Sequence, residues 1–300
     1  MPLPNFFIIG APRSGTTYMH NCLKQHPQIF FPIIKEPSFF SYDKNNPKIV
    51  ELYSKLDAAY GHKLIRSMDE YANLFIDVKD KSSIGESSTN YLYFPNTAQN
   101  IYKHVPTAKI IVSLRNPVDA LYSICTWAYM YKFIYTPFFN LSIKEQLNTI
   151  NEFDRFYFNP YFYYKYLSEY LSVFDRSRIK IVIFEEWIKE PEKCIPEIFN
   201  FLELDTKSKV EYNVEEFKSD IIRSLFIKKI IRRFFLEISN IINPFSAKFA
   251  YSLKNRIKAT FHTKPPPISP ESRNELLKLY HDDIMKLQDL LDRDLSLWLK

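Results

Sequence analysis

A chain of 300 residues, 46% hydrophobic and 25% charged, has ample apolar material for a packed core of one or two domains, which excludes a disordered or low-complexity protein. Its formal net charge of +6 suits an anionic cofactor or acceptor without marking a nucleic-acid binder. The three cysteines, Cys22, Cys125 and Cys194, stand far apart in apolar helical contexts, so they read as reduced core residues and not as a disulfide or metal framework.

The first element is a short apolar, β-branched run, Phe6 to Ile9, that suits a buried strand and is too short for a helix. It stops at Gly10, and Thr16 to Gln25 reads as a helix with Tyr18, Met19, Cys22 and Leu23 on one face. Two of the chain's four glycines, Gly10 and Gly15, fall in the turn between them. Strand, tight turn and helix of this kind aim backbone N–H groups and the positive end of a helix at one place, which favours an anion. Ser14, Thr16 and Thr17 add hydroxyls there, and Arg13 adds a charged fork. The glycine spacing matches a G-x-x-x-x-G-K-[ST] loop, but the lysine position is Thr16 and the cation sits earlier, as Arg13. A phosphate or sulfate ester is therefore expected, and not a triphosphate.

At Pro12-Arg13-Ser14-Gly15-Thr16-Thr17 the chain resembles the PAPS-dependent sulfotransferases, of the bacterial and carbohydrate type, whose 5′-phosphosulfate loop reads [KR]-x-G-T-[TS] after a first strand. The resemblance implies PAPS as co-substrate, PAP as product and no metal. Arginine where many members carry lysine keeps the charge but not the geometry, which suits charge stabilisation better than protonation of a leaving oxygen.

His26 to Phe40 reads as a proline-bracketed extended segment that delivers Lys35 and Glu36. Similar K-E-P-x-F-F elements in sulfotransferases imply that Glu36 is the general base for the acceptor hydroxyl. Placed between a proline and two aromatics, it is expected to be desolvated and raised in pKa; simple pairing with Lys35 is the alternative. Tyr42 to Lys81 reads as a polar helical insertion carrying Leu52, Leu56, Ala59 and Tyr60. Ser83 to Tyr93 resembles the second strand of the family and its exit loop, with Glu86 the reserve candidate for the base. Ser87 stands where several carbohydrate sulfotransferases place a lysine.

Lys109 to Leu114 is another apolar strand, ending in Arg115, with Asn116 as N-cap and Pro117 opening a helix that carries Ser123. A strand-end arginine and a hydroxyl two turns into the next helix can address one anion in the crevice of an α/β sheet. By resemblance they hold the 3′-phosphate of PAPS. Phe153 to Tyr170 is densely aromatic and reads as helix packing, with an aromatic floor for an acceptor as the other possibility. Ile179 to Trp187 reads as a late strand, followed by a helix through Phe199 to Leu202.

Between Ile221 and Lys264 ten Lys and Arg face a single acid, Glu237, for a local charge of about +9. Its apolar residues could line a basic amphipathic helix against an anionic membrane or the domain itself. Lys264, just before Pro265-Pro266-Pro267, stands where carbohydrate sulfotransferases have a basic loop over the cofactor, so the resemblance implies it as a further cofactor-binding candidate. Pro270 to Leu299 reads as an amphipathic helix pair burying Leu276, Leu279, Tyr280, Ile284, Leu287, Leu290 and Leu291.

The alternation of strands and helices predicts an α/β, three-layer P-loop-like fold with a central parallel sheet flanked by helices, plus helical insertions. One domain, 1–300, is expected: a core of about 5–205, a basic insertion at about 215–263 and C-terminal helices at 264–300. The expected activity is transfer of a sulfuryl group to a hydroxyl, less readily an amine, of a carbohydrate, lipid or other small acceptor. The alternatives are a P-loop nucleotide or small-molecule kinase, which the missing lysine disfavours, and a non-catalytic nucleotide-binding module at a membrane surface. Nothing resembling a basic leader with an apolar core opens the chain and no apolar stretch is long enough to span a bilayer, so a cytoplasmic protein is expected.

Overall fold

The computed structural model describes residues 2–60, 64–130, 160–212, 221–222, 262–263 and 267–300. Five strands, β1 (Phe6–Gly10), β2 (Ile29–Phe30), β3 (Ser83–Ser87), β4 (Lys109–Leu114) and β5 (Ile179–Ile183), form one sheet in the order β2-β3-β1-β4-β5. Every pairing in it is parallel.

β1 is buried along its whole length, and its alternate residues feed two different cores. Phe7 and Ile9 enter the cluster beneath α5 (Pro117–Met130), α6 (Tyr163–Val173) and α9 (Pro270–Leu291). Phe6 and Ile8 enter the opposite cluster, formed with α1 (Thr16–Leu23), the short helix α7 (Phe184–Trp187) and α8 (Pro191–Phe201). A parallel strand covered on both faces must be continuously apolar, which is why no polar alternation marks it in the sequence. The result is the expected three-layer α/β arrangement. Beside it, α2 (Pro47–Tyr60) buries Leu52 and Leu56 in a satellite cluster with Tyr53 and Phe94, the insertion expected there. α3 (Met68–Asn73) follows it, opened by a Ser67–Glu70 capping box, and α4 (Thr97–His104) leads into β4.

Three expectations need correction. The C-terminal region is one 22-residue helix, α9, followed by a 3-10 turn at Ser296–Leu299, and not a helix pair. Its stripe of Leu276, Tyr280, Ile284 and Leu287 is buried as expected, but Leu279 is 46% exposed because it falls off the i, i+4 stripe. α1 ends at Leu23, short of Gln25. The aromatic stretch is ordinary packing where it is described: Tyr161, Tyr163, Tyr166 and Tyr170 are buried in the core. Lys264 and nearly all of the basic segment, 223–261, lie outside the described residues, as does 131–159. Among the described residues no helix is long and apolar enough to cross a membrane.

β1 lies between β3 and β4, so the connections leaving the carboxyl ends of these three parallel strands come together at one end of the sheet. Open α/β sheets bind ligands at such a position.

Candidate active site

The turn from β1 to α1 carries positive φ at Gly10, Arg13 and Gly15. Gly15, the N-cap of α1, has φ 77°, and a Cβ there would lie 2.6 Å from Cζ2 of Trp187. A side chain is therefore excluded both by conformation and by space. The loop is tied to β4: the Ala11 amide donates to the Ser113 carbonyl at 2.7 Å, and the Ser113 hydroxyl donates to the Ser14 carbonyl at 2.6 Å. Trp187 completes the brace by donating Nε1–H to the same Ser113 hydroxyl at 2.9 Å. The first-turn amides of α1 stand outside the helical ladder, whose bonding begins with Met19 N–H to the Gly15 carbonyl. Thr17 is exposed at this end, Thr16 is buried, and the fully buried Ser14 turns its hydroxyl inward to the Pro12 carbonyl.

The two arginines singled out in the sequence meet here. Arg13 donates from Nε to the Ser123 hydroxyl at 3.0 Å, across the gap from the β1 turn to α5. Arg115 donates from Nη1 to the Arg13 carbonyl at 3.0 Å and lies 4.8 Å over the ring of Phe184. Asn116 caps α5 as expected, its Oδ1 accepting from the Val118 and Asp119 amides. Two cations and a hydroxyl thus gather at the positive end of α1, on one side of the molecule. Arg13 reaches the Arg115–Ser123 corner and does not stand apart from it.

Glu36 comes next to this site on the turn after β2. Its amide donates to the Ser87 carbonyl at 3.0 Å, stitching the turn to the exit of β3. Its carboxylate is 20% exposed, pairs with Lys35 Nζ at 2.7 Å through Oε1, and accepts from the Thr89 hydroxyl at 2.9 Å through Oε2. The expected rise in its pKa does not occur. Burial pushes the carboxyl up, but the Lys35 ammonium and the Thr89 donors outweigh it and hold Glu36 below its ordinary value.

The sequence profile of the sulfotransferase family matches residues 4–208, more than half of the chain. The chain belongs to the sulfotransferase family. A sulfotransferase from Alicyclobacillus acidocaldarius superposes with a TM-score of 0.70 at 27% identity, covering 100% of both chains. Among curated relatives, membrane-associated sulfotransferase kil1 of Dictyostelium discoideum is 35% identical over 118 residues, 39% of this chain and 21% of that protein. Human carbohydrate sulfotransferase 15 is 26% identical over 262 residues, 67% of this chain and 44% of that protein. The chain spans less than half the length of these curated relatives.

Within this sulfotransferase-family chain the two glutamates near the site are in opposite electrostatic situations. Glu86 has no exposed surface, and burial pushes its pKa up to about 7 against the hydroxyl donors around it. His20, on α1, packs 4.0 Å from the Phe31 ring; burial, Lys35 and Lys24 bring it down to about 3. A histidine held neutral to that extent is a poor proton acceptor.

Reasoning from sequence missed Ser113, Phe184 and Trp187 as parts of the site. Ser113 carried a signal: a lone hydroxyl in the apolar run Lys109 to Leu114 needs a partner once the strand is buried. Trp187 carried none beyond its size, because its partners Gly15, Tyr18 and Ser113 are distant in the chain.

Proposed function

We propose that this chain moves a sulfuryl group from PAPS to an acceptor hydroxyl, with PAP as the second product. The observation that carries the reading is the convergence of Arg13, Arg115 and the Ser123 hydroxyl at the N-terminus of α1. Two guanidinium forks beside a helix N-terminus are the donor set for an anion with phosphate at both ends of a nucleoside. Gly15 supports it as well, because at φ 77° and with no Cβ it lets the Trp187 and Phe184 rings pack against the turn and hold its shape. In this reading Arg13, Gly15, Thr16 and Thr17 hold the 5′-phosphosulfate, with Ser14 tying the loop down from beneath. Arg115 and Ser123 hold the 3′-phosphate. PAPS, when bound, supplies the sulfuryl group and a leaving phosphate oxygen.

Arg13 stabilises charge that develops on that oxygen; a guanidinium stays protonated and so acts as a fixed charge, not an acid. Glu36 accepts the proton of the acceptor hydroxyl. Its exposed fraction and its ionised state support it over Glu86, which is sealed inside, and Lys35 must yield Oε1 when the acceptor arrives. A carbohydrate leads among acceptors, supported by relatives named carbohydrate sulfotransferase and heparan sulfate N-deacetylase/N-sulfotransferase, the latter name keeping an amine as the second acceptor group beside the hydroxyl. Peripheral contact of 221–264 with an anionic membrane is part of the same proposal.

Calorimetry with PAP tests the site. Arg13→Ala and Arg115→Ala should each weaken PAP binding about tenfold or more, the value of a lost charge-assisted pair. Wild-type affinity in both variants would overturn the assignment. Radiolabelled PAPS incubated with desulfated glycosaminoglycan then reads the transfer itself.

A further inference from the structure

Glu86 lies on β3 opposite Phe7 of β1, inside the molecule, with no exposed surface. Its Oε2 accepts from the Tyr71 hydroxyl at 3.1 Å and its Oε1 from the Ser88 hydroxyl at 2.6 Å. The titratable groups that face it are Tyr71 on α3, Tyr91 on the turn after β3, Tyr170 on α6, Tyr53 on α2 and Glu36. Among the described residues Arg66 sits over the Tyr53 ring and pairs with Asp57, while Lys35 pairs with Glu36. Among the described residues no cation pairs with this carboxyl, so its desolvation carries a cost that an apolar residue would avoid.

What the carboxyl holds explains its presence. The Ser88 hydroxyl, fixed by Glu86, accepts the Ser38 amide at 3.1 Å. The Ser38 hydroxyl in turn bonds the Glu36 carbonyl at 3.3 Å and Asn90 Oδ1 at 3.1 Å. Glu36 and Ser38 both sit at positive φ, 61° and 58°. Such conformations in residues with a side chain persist only where the surroundings impose them.

We propose that Glu86 is a positioning residue: its buried carboxyl fixes Ser88, which holds the Lys35–Ser38 turn and so sets the direction of the Glu36 carboxylate. The proposal deepens the sulfotransferase reading and rests on Glu36 as its base. The charge on Glu36 also favours the protonated form of Glu86, so the two carboxyls do not compete for the same ionisation.

The test follows Glu36 directly, in protein labelled with carboxyl-13C glutamate, its resonance assigned with Glu36→Gln. In wild type it should titrate below an ordinary glutamate. Ser88→Ala and Glu86→Leu should move that midpoint up as the contacts to Lys35 and Thr89 loosen. Glu86→Gln, which still accepts from Ser88, should restore it. Turnover should fall about tenfold or more in Ser88→Ala and Glu86→Leu, with PAP binding by calorimetry retained. Should the Glu36 midpoint stay put in Ser88→Ala and Glu86→Leu, the turn is held without Glu86 and the proposal fails. A midpoint displaced equally in Glu86→Gln would trace the effect to ionisation and overturn it too. Full turnover in Glu36→Gln would instead defeat the base assignment while leaving the titration result intact.

Discussion

At Glu86 a single side chain carries a pH dependence for the whole molecule. Its folded pKa of about 7 lies above the ordinary 4.5, so the folded state keeps a proton that the unfolded chain releases. Stability from this group is therefore present in full below about pH 4.5 and is lost as pH rises to about 7, a change of about 3 kcal/mol. Urea denaturation of wild type and Glu86→Gln across that interval should give curves that diverge, with the glutamine protein lacking this decline. Parallel curves would mean that the carboxyl is not held protonated. Glu36 is shifted the opposite way by Lys35 and Thr89, so its ionised form is favoured by folding and its contribution falls away at acid pH. For Glu36 the deciding neighbours are Lys35, adjacent in the chain, and Thr89, brought across from the exit of β3, so the rise expected from its proline and aromatic flanks gives way to the pairing with Lys35 that was the alternative.

At the scale of elements, the β1–α1 turn shows what a nearly correct reading leaves out. Strand, glycines and helix were all legible from local pattern, and so were the Asn116 cap and the strand carrying Arg115. The brace was not. Ser113 on β4 and Trp187 on α7 fasten the turn from two other strand exits, and both lie in stretches whose pattern is that of plain core. Gly15→Ala tests the fit. The methyl would meet the Trp187 ring and sit at φ 77°, so the variant should lose about 1–3 kcal/mol in chemical denaturation. PAP binding should weaken with it, since the amides of the turn would be displaced.

For the molecule as a whole, stability rests on two cores on either side of one sheet, joined through alternate residues of β1. α9 seals one of them, against α6 and α5, from the far end of the chain. Leu287 on that helix is fully buried, and Leu287→Ala should cost about 2–5 kcal/mol in urea unfolding. Because Leu287 is a core side chain that takes no part in the Arg13–Arg115–Ser123 contacts, PAP affinity of the folded variant should remain near wild type. The misplaced Leu279 marks the limit of pattern here: apolar residues beyond one stripe width cannot all face the sheet, and the helix turns the larger stripe inward.

The sequence by itself determined the strands, the helices that follow them, the phosphate-type turn and the residues able to meet an anion, because each is written in a run of neighbouring residues. Only the tertiary structure decided that Arg13 would meet Ser123, that Thr89 would join Lys35 in holding Glu36 ionised, and that Glu86 would be sealed among tyrosines. Those outcomes depend on which strand lies beside which. Strand order is fixed by the packing of both sheet faces at once, and no local stretch of sequence contains it.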